Sequence, residues 1–443
     1  MQQEGRALKR ELIRFIIPSV AAQWVYALYT MVDGMFVAKG VSETALTAVN
    51  LSFPVITAMF ALSLTFAVGT STMVAIAMGK KDMDQASEIF TQNMTVQLIL
   101  AVVISVAGLA GLDGLAGLLG AREGALFTYV KEYLSWILPF SAAFLLSYSF
   151  EILLKIDGYP KKATMIVVVG VIANCILDWL LVIVLRKGVA GAALATSLSQ
   201  VCVIVLYLRH FLGKRGVLRF KGSTFKASQV FRALGNGFPS GLTELSAGVV
   251  TFVFNHVILL YLDQDALVSY TIVSYVNALV VMSATGIAQG SQPLISYHHG
   301  MGDGEGCRKL LRYELAAAGI LCIGAFFLLL PSAGWIVSLY VSPSLPALRE
   351  SSVKVFRIFL TSFWLVGFNI AVSGYLTAVE RAGLALIISA GRGFVLMIGA
   401  LVLIACYLGG EMIWWTPLTA EGLCFVITCA LYAYHVRTEE RRR

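Results

Sequence analysis

Charged residues are scarce in this sequence. Asp, Glu, Lys and Arg make up 13% of its 443 residues, whereas soluble domains usually carry about 25%. Apolar residues make up 58%, and the mean hydropathy is +0.82. This composition excludes an ordinary water-soluble domain and predicts a polytopic membrane protein.

Motifs that support enzymes or ATP-driven motors are also absent. The sequence contains no GxxxxGK[ST] phosphate-binding loop and no GxSxG, HExxH or CxxC motif. The seven cysteines form no CxxC pair, and we interpret them as reduced packing residues. We therefore predict a protein that is not an enzyme and that needs no cofactor.

Long apolar segments separated by short polar loops predict the fold class, an all-α polytopic membrane protein with twelve transmembrane helices. About 20 residues at about 1.5 Å per residue suffice to cross a bilayer. The predicted spans, numbered 1 to 12, are residues 12–38, 46–78, 88–112, 127–155, 163–185, 189–211, 233–260, 268–299, 309–330, 351–379, 384–408 and 416–436.

The sequence repeats itself at a constant offset of 221 residues. Pro18 and Ser19 match Pro239 and Ser240, and the same offset links Asp82 to Asp303. Six spans separate equivalent points, so the two halves share one orientation, which predicts parallel six-helix repeats forming two lobes around a central cleft. The predicted domains are an N-lobe at 1–211, a basic cytoplasmic linker at 212–232 and a C-lobe at 233–443.

Basic residues are distributed unevenly between the predicted loops. With the N-terminus inside the cell, 24 Lys and Arg residues lie in inner segments and 8 in outer ones, and Arg392 lies within a span. This excess predicts that both termini are cytoplasmic in a multi-pass protein of the inner cell membrane. It also explains the net charge of +8 without nucleic acid, and we interpret the linker as a tether on anionic lipid.

Acidic and polar residues at one depth predict a cation site in the N-lobe. Asp33 lies in span 1, Asn174 and Asp178 lie one turn apart in span 5, and Thr196 lies in span 6. Asp33, Asp178 and Thr196 are all about 8–10 Å below the predicted outer surface. Two carboxylates, an amide and a hydroxyl suit Na⁺ or a shared proton, although separate acids that reach water at the interface would give the same pattern.

The C-lobe does not duplicate this site, because Phe254 stands at the position equivalent to Asp33. Glu244 is the acid of span 7, and it either attracts cationic substrates, carries a second proton or is a protonated structural residue. Aromatic and amide side chains suit bulky amphipathic cations. The residues predicted to contact substrate are Gln23, Tyr26, Tyr29, Glu244, Phe254, Asn255, Tyr275, Asn277 and Arg392.

Together these features resemble the multidrug and toxic compound extrusion (MATE) family, in particular its MepA-like bacterial branch. The resemblance covers essentially the whole chain. It is carried by Pro18 with Asp33 fifteen residues later, Gly-Thr-Ser-Thr at 69–72, Ala-Met-Gly at 77–79, Asn-Cys-Ile-Leu-Asp at 174–178, and Ser-Ala-Gly-Arg ending at Arg392.

The resemblance implies an antiporter that exports organic cations and drugs in exchange for H⁺ or Na⁺, as a monomer in the lipid bilayer. Asp33, Asn174, Asp178 and Thr196 match the N-lobe cation-site positions of the family, and the first three would be metal ligands if the ion is Na⁺. Glu244 follows Pro239 by only five residues and so departs from the family pattern. This departure favours coupling in the N-lobe.

Two other functions are compatible with parts of the pattern. A flippase for a lipid-linked oligosaccharide would belong to the same wider superfamily, but such flippases often have a strongly basic cleft, and only Arg392 lies within a span. An intramembrane aspartyl protease built on Asp33 and Asp178 would need a YD/GxGD context, which is absent.

Overall fold

Helices make up nearly all of the chain that the computed structural model describes, which is residues 2–121, 123–213, 215–222 and 224–441. Four of the basic residues counted above, Arg122, Lys214, Arg442 and Arg443, lie outside the described residues. The helices are α1 Gln2–Gly40, α2 Glu43–Gly79, α3 Met83–Ala110, α4 Leu112–Leu118, α5 Gly124–Ile137, α6 Ser141–Ile156, α7 Pro160–Asp178, α8 Gly188–Leu212, α9 Ala227–Tyr261, α10 Gln264–Gly300, α11 Gly304–Ser338, α12 Pro346–Leu360, α13 Phe363–Ala378, α14 Ala382–Ala390, α15 Leu396–Tyr407 and α16 Thr416–Glu440.

Twelve spans of this described chain are long and apolar enough to cross a membrane, which confirms the predicted fold class. Helices α5 and α6 together form span 4, α12 and α13 form span 10, and α14 and α15 form span 11. The largest difference from prediction is span 9, predicted at 309–330 and observed at Gly304–Ser338. Charged residues in its first turns hid the start from hydropathy, and at the other end the helix continues through Pro331, a residue type that usually interrupts a helix.

Local sequence signals mark the start of several of these helices. The Ser42 side chain accepts a hydrogen bond from the Ala45 N–H (3.1 Å) at the start of α2, and Asp82 accepts one from the Gln85 N–H (2.9 Å) at the start of α3. Both satisfy backbone donors that a helix leaves unpaired. Pro160 occupies the first position of α7, where its missing N–H has no cost.

The described chain divides into two compact units, and three helices are shared between them. Helix α1 is divided after Val20, α9 after Glu244 and α10 after Ile295. Both α1 and α9 contain a proline, Pro18 and Pro239, a few residues before the division. Unit 1 comprises Met1–Val20, Leu245–Ile295 and Gly304–Arg443, and unit 2 comprises Ala21–Glu244 and Ser296–Asp303.

Glycines show that the two repeats use equivalent helix contacts. In unit 2, a Cβ on Gly237 of α9 would overlap the backbone of α2 at Gly69 and the residues before it. In unit 1, a Cβ on Gly290 of α10 would lie 2.8 Å from the Cα of Ile16 in α1. The offset of 221 residues relates Ile16 to Gly237 and Gly69 to Gly290, so each close helix crossing has its counterpart in the other repeat.

A buried carboxylate, that of Asp157, is one of the groups that hold the stretch between α8 and α9 on unit 2. Asp157 accepts hydrogen bonds from the backbone N–H groups of Val217 (2.7 Å) and Leu218 (2.9 Å). Its other oxygen lies 2.7 Å from His210 Nε2. Leu218 is buried in the core formed with α2, α3 and α6, so this part of the predicted linker packs against unit 2. Helix α9 begins at Ala227, inside the residues that were predicted as linker.

Candidate functional site

Three elements of unit 2 bring the predicted cation-site residues to a similar depth. Asp33 lies seven residues before the end of α1, and Thr196 lies eight residues after the start of α8. Asp178 is the last residue of α7 and is followed by a π-helical turn, Trp179–Val184. At about 1.5 Å per residue these distances from the helix ends are about 9–12 Å. A π-helical turn of this kind is frequent at functional sites.

The side chains meet inside unit 2. The Thr196 hydroxyl lies 3.5 Å from Asp33 Oδ1 and is oriented to donate to it. The carboxyl groups of Asp33 and Asp178 are close enough to interact directly with each other. Asn174 lies one turn before Asp178 on the same face of α7. The structure therefore brings Asp33, Asp178 and Thr196 together, with Asn174 on the same face of α7 as Asp178.

Polar atoms at this place lack partners. Asp178 is 0% exposed and Asn174 is 1% exposed. Both carboxyl oxygens of Asp178 and both polar atoms of the Asn174 amide have no hydrogen-bond partner among the described residues. Buried polar groups are almost always paired. Two close carboxylates, of which Asp178 is buried and Asp33 half-buried, repel each other unless they share a proton or another cation. The arrangement can therefore hold one small cation.

Two tyrosines complete the surroundings of the acid pair. The phenol of Tyr29 lies near Asp33 and the Thr196 hydroxyl, and Tyr133 of α5 lies near both acids. Tyr29 was predicted only as a substrate contact, and Tyr133 was missed. Tyr133 lies nine residues after the start of α5, at a depth similar to that of the acids, but depth alone does not distinguish it from other aromatic residues in apolar spans.

A second polar group lies deeper in unit 2. The Tyr26 hydroxyl donates to Glu151 Oε2 (3.0 Å), and Lys155 Nζ lies 2.7 Å from Glu151 Oε1. Glu151 and Lys155 are each 2% exposed. Tyr26 and Tyr29 both line a cavity of about 20 Å³, which is enough for one water molecule.

The remaining predicted substrate residues have different surroundings. Gln23 and Glu244 are half-buried in unit 2. In unit 1, Asn255 and Asn277 are half-buried and Tyr275 is exposed. Phe254 is a core residue of unit 1, because it is 2% exposed and its ring stacks on that of Tyr270 at 5.0 Å.

Arg392 forms a buried network within unit 1. Its Nε donates to Glu421 Oε1 (2.7 Å), and the Asn369 side chain donates to Glu421 Oε2 (2.7 Å). Arg392 lies in a π-helical turn, Gly391–Val395. This network joins α13 and α16 to the turn between α14 and α15, so Arg392 braces these helices.

No group of three or more His, Cys, Asp or Glu side chains able to hold a metal ion occurs in the part of the chain that the structure describes. The candidate site contains two carboxylates and otherwise neutral oxygen donors. Such donors suit a proton or a hard monovalent cation.

Twelve membrane-spanning segments, with two interacting acids inside one unit, are typical of a polytopic membrane transporter. The MatE family model matches residues 18–180 and 239–403, and the chain belongs to this family. The two matched ranges begin 221 residues apart, which is the offset of the predicted repeat. They include Asp33, Asn174 and Asp178, while Thr196 lies beyond the first range.

Relatives and solved structures agree with this membership over the full chain. The chain is similar to "Multidrug export protein MepA" of Staphylococcus aureus (strain bovine RF122 / ET3-1), with 23% identity covering 97% of this chain and 94% of that protein. The MepA protein of Staphylococcus saprophyticus is 22% identical, covering 98% and 95%. A structure of a multidrug resistance MATE family transporter in an outward-facing conformation has a TM-score of 0.91 at 22% identity, covering 98% and 97%. The protein is thus a MATE-type membrane transporter and not an enzyme.

Proposed function

We propose that this protein is a secondary antiporter that exports amphipathic, mostly cationic drugs or toxic organic compounds in exchange for H⁺ or Na⁺ by alternating access. The multidrug export named for its relatives supports the substrate class. The single observation that carries the coupling mechanism is the pair of interacting acids, Asp33 and Asp178, with unpartnered polar atoms around it.

In this proposal, one cation at a time occupies the acid pair. A proton would be shared between Asp33 and Asp178, and Thr196 would hold the carboxylate of Asp33 in place. Na⁺ would take oxygen ligands from Asp33, Asn174 and Asp178, with the Thr196 hydroxyl as a further donor. Tyr29 would orient the pair by its contacts with Asp33 and Thr196.

Binding of the ion drives transport only if the outward-open and inward-open states bind it with different affinity. Loss of the ion would leave two charged carboxylates in a buried place, which destabilises that state. A tenfold difference in affinity between the states is worth about 1.4 kcal/mol, and repulsion between two close carboxylates in a medium of low dielectric constant exceeds this value.

Substrate recognition is proposed for the exposed or half-buried residues of the predicted set. Glu244 would attract the positive charge of the substrate, and Phe254 is left out because it packs in the core of unit 1. The other substrate contacts are proposed at Gln23, Tyr26, Tyr29, Asn255, Tyr275 and Asn277. Arg392 is also left out, because its guanidinium pairs with Glu421.

The proposed topology follows the distribution of charge. Both termini would be cytoplasmic, because the excess of Lys and Arg falls in the segments on that side. We also propose that the lobes at 1–211 and 233–443, joined by the basic stretch 212–232, move as the alternating parts of a monomer.

The test is ethidium efflux from vesicles under an imposed pH gradient or an imposed Na⁺ gradient, applied separately. Asp33→Asn and Asp178→Asn should each abolish gradient-driven efflux while the protein inserts at its normal level. Asp113→Asn is the matched control, because Asp113 is an acid at a helix start that pairs with Lys131 and is largely exposed. Native rates in both site variants under either gradient would disprove the coupling mechanism.

A further inference from the structure

A buried acid in unit 1 takes no part in the mechanism proposed above. Glu314 lies ten residues after the start of α11 and is 0% exposed. Neither of its carboxyl oxygens has a hydrogen-bond partner among the described residues. A buried charged carboxylate without a partner is strongly disfavoured, so this side chain must carry a proton or hold a cation.

The surroundings of Glu314 favour a proton. The Ser291 hydroxyl of α10 lies near the carboxyl group but makes no hydrogen bond with either of its oxygens. That hydroxyl already donates to the backbone carbonyls of Ile287 and Ala288, each at 3.0 Å. Its one hydrogen is thereby engaged, so it supplies no donor that would stabilise a charged carboxylate. One neutral oxygen is too few to ligate Na⁺.

The same position in the other repeat carries a neutral side chain. Glu314 follows Asp303 by eleven residues, as Asn93 follows Asp82. Asn93 is 0% exposed, and its Nδ2 donates to the Ile89 carbonyl (3.0 Å). The fold therefore accepts a buried neutral polar group at this position, and a protonated glutamate is the form of Glu314 that matches it.

The packed elements around the carboxyl group supply no charge to neutralise it. From α13, Gly374 faces Glu314, and a Cβ there would lie 3.9 Å from Oε1. The titratable and charged groups on the stretches of α1, α10, α11, α13 and α16 that pack in this part of unit 1 are Arg6, Lys9, Arg10, Glu11, Arg14, Tyr297, His298, His299, Glu305, Cys307, Arg308, Lys309, Arg312, Tyr313, Cys322, Tyr375, Glu421, Cys424, Cys429, Tyr432, Tyr434, His435, Arg437, Glu439 and Glu440. None of them exerts a charge interaction on Glu314.

We propose that Glu314 is a second proton-binding site, separate from the acid pair of unit 2. It holds a proton in the conformation described here and releases it when a rearrangement of α10 admits water. Helix α10 is suited to this role because it is shared between the units, dividing four residues after Ser291. On release the O–H bond breaks, the electron pair stays on the carboxylate, and the proton passes to a water molecule. The proposal depends on the transport function only in requiring that the protein changes conformation.

Infrared spectroscopy of purified protein in lipid nanodiscs tests this proposal. With glutamate labelled by ¹³C at the side-chain carboxyl, spectra of native protein and Glu314→Gln are compared from about pH 5 to about pH 9, a range that covers ordinary and buried carboxyls. Spectra are taken with and without ethidium. We expect a protonated-carboxyl band in the native spectrum at low pH that is lost at high pH and is absent from Glu314→Gln.

Two controls make the band assignable. Glu305→Gln removes an acid of the same helix that is 68% exposed, and it should leave the band unchanged. Asp33→Asn removes no glutamate, so the labelled band should persist even if the acid pair proves not to couple transport. If Glu314→Gln does not fold, Glu314→Asp removes the labelled group while keeping an acid at this position.

Either of two results would overturn the proposal. The absence of a Glu314 band at every pH would mean that the carboxyl is charged in the folded protein. A band that persists at every pH, with and without ethidium, would mean that the proton never leaves and that Glu314 has only a structural role.

Discussion

The buried ion pair between Glu151 and Lys155 gives a prediction whose size follows from the structure. The two charged groups are 2.7 Å apart, and each side chain is 2% exposed. We expect Lys155→Met to destabilise the protein by about 3–5 kcal/mol, because it leaves a carboxylate buried with no positive charge beside it. The hydrogen bond from Tyr26 at 3.0 Å compensates only part of this loss, since one such bond to a charged group contributes about 1.5–3 kcal/mol.

The intact pair is expected to contribute much less than this. Coulomb's law with an effective dielectric constant of about 20 gives an attraction of about 6 kcal/mol at this distance, and desolvation costs several kcal/mol for each ion. These terms nearly cancel. The double variant Glu151→Gln with Lys155→Met, which removes both charges, should therefore recover most of the lost stability.

A second Glu–Lys pair, on the protein surface, provides a matched control for this prediction. Glu305 and Lys309 have the same four-residue spacing and the same 2.7 Å separation, but they are 68% and 35% exposed. Lys309→Met should cost about 0.3–0.5 kcal/mol. The assay is equilibrium unfolding in detergent micelles, followed by tryptophan fluorescence. Equal losses for Lys155→Met and Lys309→Met would show that burial does not set the energy of these pairs, and the reasoning would fail.

Two further variants test the packing of unit 2. Gly69→Ala places a methyl group against the backbone of α9 and should cost about 1–3 kcal/mol or more, measured as a lower melting temperature in detergent, whereas Gly34→Ala meets nothing within 4 Å and should not lower it. Asp157→Asn should raise the rate of trypsin cleavage between α8 and α9 about tenfold, because a charged acceptor of several hydrogen bonds is lost. Asp84→Asn removes only an exposed pair with Lys221 and should change that rate by less than about twofold. Similar cleavage of both variants would contradict the role given to Asp157.

The acid pair could be found from the sequence because a charge is conspicuous in an apolar span. Asp33 and Asp178 each interrupt such a span, and their distance from the helix ends places them at one depth. Thr196 was found by the same depth comparison. Tyr133 was not, because an aromatic residue is common in a membrane helix and hydropathy gives no reason to select it.

Side-chain direction was the property that the sequence did not supply. Phe254 was predicted to face substrate, and it stacks in a core. The repeat was visible as an offset of matching residues, but its consequence for packing was not. Helix α9 crosses α2 at Gly237, where the two backbones approach closely. The sequence does not show which glycines lie at such crossings, and the folded chain does.

The buried acids of the described chain fall into two groups, and the difference gives the two proposals a common basis. Glu151, Asp157 and Glu421 each contact a basic side chain at 2.7 Å. Asp178 and Glu314 contact none. An acid with a basic partner keeps its charge balanced in place and stabilises one arrangement of helices. An acid without one takes its positive charge from solution, as a proton or a metal ion, and can exchange it when its surroundings change. Ion binding is therefore expected at Asp178 and Glu314, and a fixed structural role at the other three.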